Sequence, residues 1–323
     1  VRDTAEWYRE FARQVASQSE VYEQWATAVA DDDSMLAIID ALPEAKRQPP
    51  LVFAVARLLG AGEGDSGDFK RFLIAHAAEV QAECRARPMQ TNEPQRCAAL
   101  LPALTRIGGP LALIELGASA GLCLYVDRFS YDYALDGNAE TRVRLDPANG
   151  PSAVTLSASA PSALVPHSLA EVAWRGGIDL RPLNAADEGD AAWLTAMVWP
   201  GQRRRLARVR AAIDIARADP PHLLAGDAID RLADALAAVP PGTTPVVVTA
   251  GVLVYIPFAE RMRLVDAIRQ SGARWVSLEG AGVLPEVRER LPQGDHSARF
   301  VVALDEHPIA FCSPHGDELA ALG

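Results

Sequence analysis

The chain has 323 residues, 49% of them apolar and 23% charged, which is enough apolar material for a packed core and excludes a disordered chain. Its 31 basic and 42 acidic residues leave a net charge of −11, a field that disfavours nucleic-acid backbones and anionic membranes as partners. The longest apolar run, Val246–Phe258, is broken by Thr249 and Pro257 and falls short of the ~20 residues of a membrane-spanning helix.

The first ten residues, VRDTAEWYRE, lack the basic-then-apolar pattern of a secretory leader. The four cysteines, Cys84, Cys97, Cys123 and Cys312, form no C-x-x-C pair and no metal-type spacing. A soluble, cytoplasmic protein without a metal centre is expected.

Residues 1–108 read as an all-helical domain. Asp3 and Glu6 form a capping pair ahead of Trp7, Tyr8, Phe11 and Val15 at helical spacing. Further helices are expected at 20–30, 34–41, 50–60, 68–86 and 93–106, separated by Pro- and Gly-rich breaks, and Gly108-Gly109-Pro110 stops the last.

After Pro110 short apolar runs alternate with helical patterns, which predicts an α/β domain over 109–323. Strands are expected at Leu111–Leu116, Val172–Ile178, His222–Leu224, Pro245–Thr249, Arg274–Leu278, Arg299–Leu304 and Ile309–Cys312. Helices are expected at 120–129, 188–218, 228–238 and 258–271. The run Arg203, Arg204, Arg205, Arg208 and Arg210 reads either as a local basic patch or as the solvated face of the second of these.

The segment LALIELGASAGL, residues 111–122, carries the most chemistry. An apolar strand ends in Glu115, and Gly117, Ala118, Ser119 and Gly121 form a small-residue turn before an expected helix. Such a turn lets backbone amides approach a ligand, and a helix N-terminus favours negative charge. The G-x-x-x-G spacing departs from the G-x-G-x-x-G dinucleotide fingerprint. With an acid at the strand end it resembles motif I of class I S-adenosylmethionine-dependent methyltransferases, Ser119 replacing the middle glycine. The resemblance implies a Rossmann-like sheet of seven strands with helices on both faces and an antiparallel terminal strand. It further implies S-adenosylmethionine as cofactor and a small molecule as methyl acceptor. Asp179, at the end of the second strand, would bind the ribose, and Asp227, after the third, the adenine amino group. The second strand follows the turn by about 50 residues, where about 20 is usual. An insertion is therefore expected over 131–170, with Tyr131–Tyr133 pairing Val143–Leu145. Asp127, Asp132 and Asp136 compete with Asp179 for the ribose.

The tract Arg87-Pro-Met-Gln-Thr-Asn-Glu93 admits two readings. Arg87 can hold a carboxylate of the cofactor or the substrate while Gln90, Thr91, Asn92 and Glu93 line the cofactor's amino-acid end. Alternatively Thr91 or Asn92 caps a helix with Glu93 in its first turn. Tyr255, after the fourth strand, and His315, in Ser313-Pro-His-Gly316, are candidate catalytic groups, and Trp199 a candidate substrate contact; each also reads as an ordinary packing or turn residue. The tracts 87–93, 115–122, 127–131, 177–182, 199–202 and 314–316 together resemble a bacterial family catalogued as a domain of unknown function. That resemblance implies the same sheet behind a helical N-terminal part and no established reaction. A non-catalytic ligand-binding module, or an enzyme using another nucleotide, stands beside the methyltransferase reading.

Overall fold

The computed structural model describes residues 2–90 and 92–323. The architecture is mixed α/β, with a helical N-terminal region and a large, mostly parallel sheet. By Cα packing the chain divides into two compact units, one of Val1–Thr91 with Asp187–Arg210, the other of Asn92–Ala186 with Ala211–Gly323. This division lies elsewhere than the boundary expected at 108.

The helical unit contains α1 (Thr4–Val15), α2 (Glu20–Ala30), α3 (Asp33–Asp40), α4 (Pro49–Leu58), α5 (Ser66–Ala75) and α6 (Ala77–Ala86). The single helix expected at 68–86 is broken at His76. Asp3 caps α1 by accepting the Glu6 amide at 2.7 Å, and Ser19, Asp32 and Asp65 cap α2, α3 and α5 in the same way. An aromatic cluster of Tyr8, Tyr22, Trp25, Phe53 and Phe69 fills the core, Trp25 stacking on Phe69 at 4.2 Å. The expected helix 188–218 is two, α8 (Glu188–Ala196) and α9 (Arg203–Ala218), with Trp199-Pro-Gly between them. Arg57 of α4 donates to Ala196 O (2.9 Å) and Val198 O (2.6 Å), which ties 187–210 to this unit.

The second unit opens with a 3-10 turn at Pro94–Arg96 and α7 (Cys97–Leu104), every residue of which is buried. The strands are β1 (Leu111–Leu116), β2 (Ser130–Leu135), β3 (Asn138–Leu145), β4 (Thr155–Ala160), β5 (Val172–Asp179), β6 (His222–Ala225), β7 (Thr244–Ala250), β8 (Arg274–Gly280), β9 (Phe300–Leu304), β10 (His307–Cys312) and β11 (Leu319–Ala320). The remaining helices are α10 (Ala228–Ala237), α11 (Phe258–Gln270) and α12 (Pro285–Glu289).

The main sheet has eight strands, not seven, in the order β11-β10-β9-β8-β7-β1-β5-β6. The run from β8 to β6 is parallel, and β9, β10 and β11 each pair antiparallel with the preceding strand. The antiparallel pairing therefore begins inside the sheet rather than at its last strand. β1 is buried along its whole length, as expected of a parallel strand covered on both faces. Ile114 and Leu116 join Leu232, Leu264, Val265, Ile268, Val247 and Trp275 in one core cluster with α10 and α11. By alternation, Leu113 and Glu115 face the other side of the sheet.

The insertion forms a separate sheet of order β3-β2-β4. Its hairpin pairs Tyr131 with Leu145 and Tyr133 with Val143, in the expected register. The Ser/Ala-rich β4, which pairs parallel with β2, lacks the alternation that marks a strand. The helix expected at 120–129 does not form; only Leu122–Leu124 makes one 3-10 turn. Gly121 enters it in the left-handed region and Leu122, Cys123, Leu124, Tyr125 and Val126 are all buried. A helix would turn part of so uniformly buried a segment outward. Instead Asn92 takes the Leu122 amide and the Tyr125 hydroxyl donates to Asp219 O at 2.6 Å.

Candidate functional site

In the parallel set the chain runs from β1 to β5 and β6 on one side and then crosses back to β7 on the other side of β1, so the strand order reverses at β1. Ligands in open parallel sheets bind beyond the carboxyl ends of the strands at such a divide. The small-residue turn lies there. Gly117 has φ +70°, and a Cβ on it would stand 2.4 Å from Val252 Cγ2, so both backbone and space demand glycine. Gly177 lets the turn lie against β5, since its Cβ would meet Ala118 Cβ at 2.5 Å.

The amides of the turn are used within the protein. Those of Gly117 and Ala118 donate to Ile178 O at 2.8 and 3.1 Å, and Gly121 to Ala118 O at 2.6 Å. Ser119 N donates to Asp179 Oδ2 at 2.8 Å. Asn92 bridges the turn, its Nδ2 donating to Ala118 O (3.1 Å) and its Oδ1 accepting Leu122 N (2.7 Å). With no α-helix following and these donors spent, the expected cradle of free amides and helix dipole is corrected. What the turn offers beyond the strand ends is side chains.

Three buried oxygens at these strand ends have no hydrogen-bond partner among the described residues: Glu115 Oε2, Ser119 Oγ and Glu279 Oε2. Burial pushes the Glu115 carboxyl well above the usual carboxylate range, reinforced by the Cys123 thiol and opposed by Arg96. Glu279, at the end of β8, is pushed up to about 7 by burial, against the pull of backbone amides and Arg96. Its Oε1 accepts Val252 N and Leu253 N at 3.2 and 3.3 Å. Two buried thiols lie close by, Cys97 donating to Cys123 O and Cys123 to Glu93 O, each at 3.3 Å.

The acids weighed for a ribose separate clearly. Asp127 is held by Arg175 at 2.8 Å, Asp132 by Arg142 at 2.6 Å, and Asp136 accepts Ser162 N in the hairpin turn. Asp179 alone of the four stands at the end of β5 against the turn, accepting Arg181 N through Oδ1 at 2.8 Å. Asp227 follows β6, where it caps α10 through Ile229 N at 2.8 Å. Gly226 N donates to Asp179 O at 2.9 Å, linking the two strand ends.

The other candidates are scattered. In the helical unit, Arg87 pairs with Glu83 at 2.7 Å and lies over the Trp193 ring at 5.0 Å. Trp199 packs on Phe11 and Tyr22 in the same unit, and Gln90 is buried. Thr91 lies outside the described residues. Glu93 caps the 3-10 turn by accepting Gln95 N at 3.1 Å. Tyr255 is 83% exposed, with Val254 and Phe258 exposed beside it, and His315 is exposed on the 313–316 turn. No group of His, Cys, Asp or Glu able to hold a metal ion occurs among the described residues, and none of their helices is long and apolar enough to cross a membrane.

Arg96 and Glu279 were missed by sequence reasoning. Glu279 carries the same signal as Glu115, an acid closing an apolar strand, whereas Arg96 carries none. No curated protein and no solved structure matches the chain. A family model described as an uncharacterized protein conserved in bacteria, DUF2332, matches residues 5–320, and the chain belongs to that family.

Proposed function

We propose that the chain binds S-adenosylmethionine beyond the carboxyl ends of β1, β5 and β7 in a methyltransferase-like α/β sheet and methylates an O, N or S atom of a small molecule. The observation that carries this reading is the meeting of the Gly-rich turn and Asp179 at the divide of the parallel strands, Ser119 N to Asp179 Oδ2 at 2.8 Å. Asp179 accepts Ser119 N through Oδ2 and Arg181 N through Oδ1, and a carboxylate at this strand end suits paired ribose hydroxyls. Asp227 stands one strand further along, toward an adenine. Bound there, the sulfonium supplies an activated methyl group. The chain's part is alignment, which by itself is worth about 7–11 kcal/mol. The net charge of −11 favours a small acceptor over a nucleic acid.

One observation favours a second reading, a ligand-binding module without turnover: the amides of Gly117, Ala118, Ser119 and Gly121 are already spent within the protein. Calorimetric titration of the full chain with S-adenosylmethionine and S-adenosylhomocysteine, against NAD and ATP, tests the cofactor. Selective micromolar binding is expected; absence of binding by folded protein overturns the reading. Cofactor binding without turnover on any small-molecule extract selects the second.

A further inference from the structure

We propose that Arg96 holds the carboxylate of the molecule bound beyond β1 and β7. The inference rests on the reading that a ligand binds there and goes beyond it by naming the anchoring residue and the chemical group it takes.

Arg96 lies at the end of the 3-10 turn before α7. Its Nη1 donates to Ala250 O, the last residue of β7, at 2.7 Å, and its Nε to Pro314 O at 3.3 Å. Both acceptors are neutral. Other arginines of the unit meet an acid, as Arg175, Arg269 and Arg274 each do at 2.7 Å. Arg96 has no ion pair among the described residues, and Nη2 keeps both of its hydrogens uncommitted. Carbonyl partners fix the guanidinium in place without neutralising it.

Glycine lets the backbone lie close against that nitrogen. A Cβ on Gly251 would stand 3.1 Å from Nη2, and Gly251 has φ +71°. Gly316, at φ +79°, packs its Cα against Arg96, where a Cβ would lie 2.9 Å from Arg96 Cα. The Pro314-His-Gly316 tract thus serves to seat this arginine. The acids that feel its charge are Glu115 and Glu279, both buried and both held toward the neutral form. The unpartnered Glu115 Oε2 and Ser119 Oγ point to a polar ligand in the same region. A fixed planar guanidinium with a free terminal nitrogen fits a carboxylate oxygen through a charge-assisted bond.

The carboxylate can belong to the amino-acid end of the methyl donor or to the acceptor. Three titrations on wild type, Arg96→Gln and Arg96→Lys separate these. The first uses S-adenosylhomocysteine and the second methylthioadenosine, which lacks the amino-acid end. The third compares benzoate with benzamide on protein saturated with S-adenosylhomocysteine. Wild type is expected to prefer the carboxylate of one pair by about 10-fold or more. Arg96→Gln should erase that preference and Arg96→Lys retain part of it, while methylthioadenosine affinity, which also reports folding, is unchanged. Loss of the first preference assigns the donor's carboxylate, loss of the second the acceptor's. If neither preference depends on Arg96, the inference is overturned. If no adenosyl ligand binds wild type, the functional reading fails separately. Benzoate against benzamide on ligand-free protein then decides Arg96, and no Arg96-dependent preference overturns it.

Discussion

Asp179 Oδ2 accepts the amide of Ser119 at 2.8 Å, fastening the end of β5 to the turn that follows β1 across 60 residues of sequence. The contact places a carboxylate at the divide of the parallel strands.

Asp179→Asn should weaken S-adenosylhomocysteine by about 10-fold or more, since an amide offers one acceptor oxygen where the carboxylate offers two and carries charge. Asp127→Asn should leave affinity unchanged and instead lower stability by about 1–3 kcal/mol, because Arg175, 8% exposed, loses one of its two acid partners. Calorimetry and denaturant titration of both variants separate the roles; equal loss of affinity in the two would remove Asp179 from the ligand.

Gly117→Ala should destabilise by about 1–3 kcal/mol, from the left-handed backbone together with a 2.4 Å approach to Val252. Adding Val252→Ala should recover part of the loss, leaving the backbone share. A chemical-denaturation cycle on the four proteins measures this, and no recovery would mean that the contact is not limiting.

Asn92→Ala removes both side-chain bonds to the turn and should cost about 1–3 kcal/mol. Amide exchange at Leu122 should accelerate with it. Unchanged protection at Leu122 would contradict the bridging role.

The Glu279 carboxyl titrates near neutrality in the native state. Its pKa rises from 4.5 to about 7 on folding, so the native state binds the proton more tightly. Its contribution to stability is therefore full below about pH 4.5 and is lost as the pH rises to about 7. Glu279→Gln keeps an oxygen for the Val252 and Leu253 amides and should flatten this loss. Thermal unfolding from pH 4 to 8 reads the difference, and parallel profiles for wild type and variant would contradict it.

Much of the sheet was legible because buried parallel strands are written as mostly apolar runs, as at Leu111–Leu116 and Val246–Ala250. Helix starts were legible where an acid caps them, as at Asp3. The failed helix at 120–129 shows the limit: its residues favour a helix locally, but complete burial and the Asn92 bond decide otherwise. The attachment of Asp187–Arg210 to the helical unit rests on Arg57 reaching carbonyls 139 and 141 residues away, which no local pattern records. The site divides in the same way. Glu115, the glycines and Asp179 stand together because strand ends carry them, whereas Arg96 meets Ala250 and Pro314 only through tertiary packing.

The most direct test of the account is a crystal structure of the full chain grown with S-adenosylhomocysteine. The account predicts the ribose hydroxyls on the Asp179 carboxylate, beyond the carboxyl ends of β1 and β5. Ligand bound elsewhere, or a folded chain that takes up none, would contradict it.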